Sequence, residues 1–201
     1  MDKKFAELVG IILGDGCIKN YPRHRALQIS FNAVDDLDYL HYVAKLVQEI
    51  FQIKPFVKFR KTDNTADIFL FRKSVVDYLL RKGLKESPKW GRAKIPPTCL
   101  TKPFDKYVVR GLFDTDGCVA LTKNNGSLYP RLELKICPSP MQEQVIDILN
   151  NYNFKFKVQK LDKGKIRIRL NGKEQLRKWR GIIGFSNLKH LKKSERVLKK
   201  E

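Results

Sequence analysis

A nine-residue phrase occurs twice in this chain. Leu8-Val-Gly-Ile-Ile-Leu-Gly-Asp-Gly16 returns as Val109-Arg-Gly-Leu-Phe-Asp-Thr-Asp-Gly117, and the matched acids Asp15 and Asp116 lie about half of the 201 residues apart. A repeat at that period is one fold unit used twice. Each copy reads as an apolar helix that delivers one carboxylate beside a glycine. Two related units would bring the acids together on a pseudo-twofold axis. That arrangement suits symmetric metal chemistry on a symmetric substrate.

The order of elements repeats as well. In residues 1–84 a helix over about Lys4–Leu13 precedes strands Cys17–Asn20 and Arg25–Asn32. A helix opened by Asp35 and Asp36 runs to Phe51, with Leu37, Leu40, Val43, Val47 and Ile50 at helical spacing. A hairpin, Phe56–Lys61 with Ala66–Arg72, and a helix Ser74–Leu80 ending at Gly83 complete the half. Residues 85–103 hold Pro88, Pro96, Pro97 and Pro103 and read as a linker. Residues 104–201 then give helix Phe104–Phe113, strands Val119–Thr122 and Arg131–Cys137 around Asn124-Asn125-Gly126, and helix Pro140–Asn150. A hairpin, Phe154–Leu161 with Lys165–Leu170, a helix Glu174–Ile183 and a polar basic tail follow. The expected fold class is α+β: two αββαββα units, each one antiparallel four-stranded sheet with helices on one face.

Lys and Arg outnumber Asp and Glu by 41 to 21, a formal net charge of +20. Such a charge opposes compaction unless a polyanion shares its field, and nucleic acid is the obvious partner. No apolar run is long enough to span a bilayer. Lys3 and Lys4 before Leu8–Leu13 lack a signal-peptide cleavage site, so an intracellular protein without a membrane partner is expected. Cys17, Cys99, Cys118 and Cys137 form no Cys-x-x-Cys pair, which favours core thiols over a zinc site. No Gly-rich phosphate loop or Ser/His/Asp arrangement appears, and no organic cofactor is expected.

Period-two alternation marks the uncovered sheet faces. Gln28, Ser30 and Asn32 oppose Leu27, Ile29 and Phe31; Lys58 and Arg60 oppose Val57 and Phe59. Arg131, Glu133 and Lys135 oppose Leu132, Leu134 and Ile136; Lys165, Arg167 and Arg169 oppose Ile166, Ile168 and Leu170. These polar sets suit base edges and phosphates, and a β-ribbon fits the major groove.

The small residues Gly10 and Gly14, like Gly111 and Thr115, share one helix face, which lets two helix backbones approach. Asp15 and Asp116 then stand at adjacent helix C-termini, where the dipole and the second carboxylate both repel them. No compensating charge is evident nearby, and a divalent cation would supply it. Oxygen ligands, with main-chain carbonyls of Gly14 and Thr115 as further candidates, point to Mg²⁺ or Mn²⁺ rather than zinc. Paired metal sites activate water and stabilise the leaving oxygen in phosphodiester hydrolysis.

These two phrases resemble the motifs of LAGLIDADG homing endonucleases of the two-motif, single-chain type, and the resemblance covers essentially the whole chain. The second copy is closer; the first has Leu13 where the family often has an acid. The resemblance implies sheets gripping a long DNA site in the major groove, catalysis by Asp15 and Asp116, and cutting of both strands across the minor groove. It also implies one basic residue per half after the last helix of each unit, for which Lys89, and Lys189 or Lys192, are candidates. Unequal halves imply a non-palindromic site, and two acids on one chain imply a monomer. Related folds also act as intron-RNA-binding maturases or as non-cleaving regulators; the presence of both acids favours cleavage. The strand sequence Glu133-Leu134-Lys135 matches another nuclease pattern but leaves Asp15 unexplained.

Overall fold

The computed structural model describes residues 2–124 and 127–199, so Asn125 and Gly126 of the expected turn lie outside the described residues. The first half holds α1 (Lys3–Gly14), β1 (Gly16–Tyr21), β2 (His24–Asn32), α2 (Leu37–Phe51), β3 (Phe56–Phe59), β4 (Thr65–Leu70) and α3 (Lys73–Arg81). The second holds α4 (Phe104–Asp116), β5 (Gly117–Asn124), β6 (Ser127–Ile136), α5 (Met141–Asn151), β7 (Lys157–Lys160), β8 (Ile166–Asn171), α6 (Gly172–Ile182) and α7 (Leu188–Leu198). The strand orders are β1-β2-β4-β3 and β5-β6-β8-β7, antiparallel throughout. The motif glycines set the same register in both: Gly16 faces Ile29, and Gly117 faces Leu134. The expected pair of αββαββα units is therefore present.

The period-two patterning holds in β8, where Ile166, Ile168 and Leu170 are buried and Arg167 and Arg169 are half-buried. In β2, Leu27, Ile29 and Phe31 are buried and Asn32 is exposed. The pattern weakens on β3, where Phe59 is exposed rather than covered, because this short strand is the edge of its sheet.

The halves meet along α1 and α4, and the small residues set that contact. A Cβ on Gly10 would lie 2.0 Å from the Val108 carbonyl oxygen, and one on Gly111 would lie 2.2 Å from that of Glu7. Further along, a Cβ on Gly14 would lie 2.0 Å from Thr115 Oγ1. No side chain fits between the backbones at Gly10 and Gly111, and at Gly14 only the Thr115 side chain does. One flank of the seam is polar: Arg110 on α4 pairs with the buried Glu7 on α1, and the Tyr42 hydroxyl donates to Glu7 Oε1 at 3.0 Å.

Two parts depart from the sequence expectation. The tail after α6 is not a solvated segment: it forms α7, with His190, Ser194 and Val197 buried and His190 against Phe113 and Phe185. The cysteines are not all core thiols: Cys99 is buried, Cys17 is half-buried, and Cys118 and Cys137 are exposed. The connection 85–103 packs down on the body. Ser87 N donates to Ile18 O (2.9 Å), Gly91 N to Pro138 O (2.7 Å), and Gln144 Nε2 to Ile95 O (3.1 Å).

Leucine at Gly111 cannot be placed without pushing the two helices apart. Overpacking of this kind costs about 3 kcal/mol or more when backbone has to move. Gly111→Leu is therefore expected to lower the melting temperature by many degrees or to prevent folding. An unchanged melting temperature would contradict backbone-to-backbone packing.

Candidate active site

The seam ends at the two acids. Asp15 follows the last turn of α1, its N–H donating to Ile11 O at 3.1 Å, and Asp116 closes α4. Asp116 Oδ2 would lie only 3.2 Å from a Cβ on Gly14, the residue before Asp15. The two carboxylates therefore share one cleft. Both residues are exposed at its mouth, while protein crowds their inner sides. That desolvation pushes the Asp116 carboxyl up to about 7; Asp15's charge adds to the rise, and Lys89 opposes it. Desolvation raises Asp15 as well, and Asp36 adds to it, while Lys89 and Lys189 pull it down.

Compensating charge is present after all, in Lys89. Its Nζ donates to the carbonyls of Ile12 (2.8 Å), Leu13 (2.8 Å) and Gly14 (2.5 Å), where the C-terminal end of α1 is negative. Burial lowers its pKa, and Asp116 and Asp15 pull the other way. The Gly14 carbonyl expected to help hold a metal is thus occupied by the lysine. Thr115 faces Gly14 across the seam, and its hydroxyl donates back to Gly111 O (3.1 Å) and Leu112 O (2.9 Å). A cavity of about 330 Å³ opens beside Asp116, lined by Leu13, Gly14, Lys89, Trp90 and Cys137 among others.

The other lysine is held differently. Lys189, in the first turn of α7, forms a 2.6 Å ion pair with Asp36 at the start of α2. Asn187 Nδ2 donates to the same carboxylate at 2.9 Å. Lys192, one turn further along α7, is exposed. Lys89 and Lys189, not Lys192, are the cations acting on the aspartates.

The departure at Leu13 has a structural counterpart here. At the matching place in the second motif, Asp114 Oδ2 accepts the N–H groups of Ser186 (2.6 Å) and Asn187 (3.1 Å), anchoring the loop before α7. Burial pushes this carboxyl up to about 8, and those two hydrogen bonds oppose the rise. The first motif has no carboxylate at Leu13, and its loop is tied in the reverse sense by Lys89. A carboxylate accepting from a loop is replaced by a loop lysine donating to the helix.

A family model described as the LAGLIDADG DNA endonuclease family matches residues 5–177. The chain belongs to that family. Among solved structures, it is similar to I-DmoI in complex with DNA and Mn at 16% identity and TM-score 0.64, covering 92% of this chain and 97% of that one. It is similar to I-WcaI bound to its DNA recognition sequence at 18% identity and TM-score 0.65, covering 98% and 85%. The I-LtrWI LAGLIDADG homing endonuclease bound to target DNA matches at 10% identity and TM-score 0.62, covering 98% and 89%. No curated protein matches the chain. These LAGLIDADG structures share the two-sheet, pseudo-twofold fold described above.

On the open sheet faces, several residues expected to meet DNA are already bonded to an acid. In the first sheet the buried Asp67 accepts from Gln28 Nε2 (2.9 Å), Ser30 Oγ (2.6 Å) and two nitrogens of Arg60 (2.8 and 3.0 Å). In the second, Glu133 gathers Arg169 (3.0 Å), Arg167 (3.7 Å) and Arg131 (3.9 Å), so three guanidinium groups share one carboxylate. Asn32 is spent on a turn, its Oδ1 accepting from Val34 N and Asp35 N at 2.9 Å. Lys58 and Lys135 are exposed, and Lys165 lies over the Trp90 ring at 5.4 Å. Sequence reasoning missed Asp36, Asp67 and Asn187. Asn187 was the legible one, as a helix-capping residue before Leu188, Leu191 and Leu198 at helical spacing.

A pH dependence follows for the metal-free protein. The folded carboxyl of Asp116 titrates near 7, whereas an unfolded one titrates near about 4. Between those values the folded state holds the extra proton, so this group's contribution to stability falls as pH rises through the window. Asp116→Asn removes that penalty. In chelator, its melting temperature should gain on the wild type between pH 5 and pH 8. A difference independent of pH would show that Asp116 is not desolvated.

Proposed function

We propose that this chain is a site-specific endonuclease that hydrolyses both strands of a long, non-palindromic DNA duplex with a divalent cation, Mg²⁺ or Mn²⁺, in intron or mobile-element homing, and that it acts as a monomer. The observation that carries this reading is the pairing of Asp15 with Asp116 at the end of a seam flanked by two basic sheets. Membership of the LAGLIDADG DNA endonuclease family and the likeness to structures holding DNA and Mn support it.

The donor set fits a hard cation. Among the described residues no three or more His, Cys, Asp or Glu side chains gather into a metal-binding group. The protein would offer Asp15 and Asp116 and leave the remaining positions to water and phosphate oxygen, as Mg²⁺ prefers. Two carboxylates raised above their ordinary values relax when a cation joins them. A bound cation would supply Lewis-acid polarisation of the scissile phosphate and a more acidic water. Lys89, held on the α1 carbonyls beside Asp116, would meet the charge that develops on phosphate by exchanging those carbonyls for it. Lys189 is the corresponding group on the Asp15 side, restrained by Asp36. The arginines around Glu133, held by one carboxylate, keep surplus positive charge ordered toward the groove.

The test is cleavage of a randomised duplex library, with the cut ends sequenced. Paired breaks at one recurrent, asymmetric sequence are expected in Mg²⁺ or Mn²⁺. Asp15→Asn and Asp116→Asn should each slow double-strand cutting by about 100-fold or more while DNA affinity stays within a few-fold, as for loss of a metal ligand. Duplex left intact in both metals, together with tight binding of intron RNA, would replace this reading with that of a maturase.

Affinity for duplex should also fall by about 10³-fold or more between 50 and 200 mM salt, as expected when six or more phosphates are neutralised. A flat salt response would remove the polyanion argument.

A further inference from the structure

The two open faces can be compared position by position, because the motif glycines give them one register. In the second sheet Glu133 lies opposite Arg169, and Arg169 opposite Lys157. In the first sheet Gln28 lies opposite Phe69, and Phe69 opposite Phe56. Where the second face presents cations, the first presents phenylalanine. Phe71 extends the patch by one step along the same face. Phe56 is 56% exposed and Phe71 51% exposed. Apolar rings left in water on an otherwise polar face mark a contact surface.

The geometry narrows what they contact. The rings of Phe69 and Phe71 stack with centroids 5.1 Å apart and planes 10° apart, and Phe56 leans on both at 6.4 and 6.5 Å. Side chains on a strand stand roughly perpendicular to the sheet. Rings that stack on each other along one strand turn their edges outward, so they offer no flat platform to an unpaired base. They offer an apolar ridge, with Lys58 on the same face one step away, opposite Asp67. The apolar group that a duplex displays in its major groove is the C5-methyl of thymine, and phenylalanine is among the side chains that meet it.

We propose that Phe56, Phe69 and Phe71 read thymine methyl groups in the half-site under the first sheet. The reading block lies outward from the cut. β1 leaves the acids at Gly16, and the order β1-β2-β4-β3 sets Phe69 two strands and Phe56 three strands further out across the sheet. The second sheet, with cations at the matching positions, reads purine acceptors and phosphates instead. The target is then thymine-rich in the outer block of one arm only. This inference rests on the endonuclease reading and deepens it.

The test starts from duplexes selected from a random pool by binding to the full chain. The selected sites are remade with each thymine replaced by uracil, which deletes the methyl and keeps every hydrogen-bonding group. In the outer block of one arm, each replacement should weaken binding by about fourfold, the value of one buried methyl, and replacements in the opposite arm should change little. Phe69→Ala and Phe71→Ala should bind thymine and uracil versions of that block equally, with melting temperature confirming the fold. Uracil tolerated by the wild type throughout would overturn the proposal. So would selected sites without the block, or a second copy of the chain found covering the patch in solution. Failure to bind duplex at all would overturn the endonuclease reading with it; duplex bound and cut without methyl dependence would overturn this proposal alone.

Discussion

The structure depends on two helix backbones touching without side chains between them. α1 and α4 close on each other at Gly10 and Gly111, where even a methyl group would collide with a carbonyl oxygen of the other helix. That contact joins two units that each cover only one face of their sheets. It also fixes where the helices end. A seam with larger residues would separate the helix ends by the width of a side chain, and the two carboxylates would no longer share one cleft. The polar flank, Arg110 with Glu7 and Tyr42, locks the helices in register on one side. Buried polar groups of this kind are costly to leave unpaired, so slippage along the seam is disfavoured.

The position created this way is electrostatically poor for acids. Two carboxylates stand at negative helix ends, crowded by protein on their inner sides though exposed at the mouth of the cleft, and both are raised above ordinary values. The chain sets amines against this problem. Lys89 lies on the last carbonyls of α1, and Lys189 pairs with Asp36. These two arrangements are not equivalent, although the backbone is close to twofold. One lysine rests on carbonyl dipoles and the other on a full charge. The motifs differ as well, with Leu13 in one and, in the other, Asp114 anchoring the loop before α7. An asymmetric site is thus built on a symmetric frame, in keeping with sheets whose open faces also differ.

Much of this was legible in the residues themselves. The duplicated phrase gave the pseudo-twofold, and its small residues gave the seam. Period-two alternation gave both sheet faces, because burial on one side only imposes that pattern. What failed to show has physical causes. The last helix was hidden because a lysine-rich face dominates its composition, and its apolar side is narrow. Lys89 is a candidate by its place after the last helix of the first unit, but its contact was not legible, because the three carbonyls it meets belong to α1, far away in sequence. Asp67 is one acid in an apolar strand and Glu133 reads as a DNA contact, yet each organises its neighbours through contacts across strands. The cysteines misled because a thiol on a barely polar strand position reads the same whether it faces the core or the groove.

Asp15 and Asp116 are proposed to hold a cation together at the end of the α1–α4 seam. The most direct measurement is anomalous scattering from a crystal of the chain with duplex DNA and Mn²⁺. Manganese is expected on oxygens of both carboxylates, with Lys89 displaced from the Gly14 carbonyl. Manganese at one aspartate only, or at neither, with Lys89 still seated on α1, would contradict it.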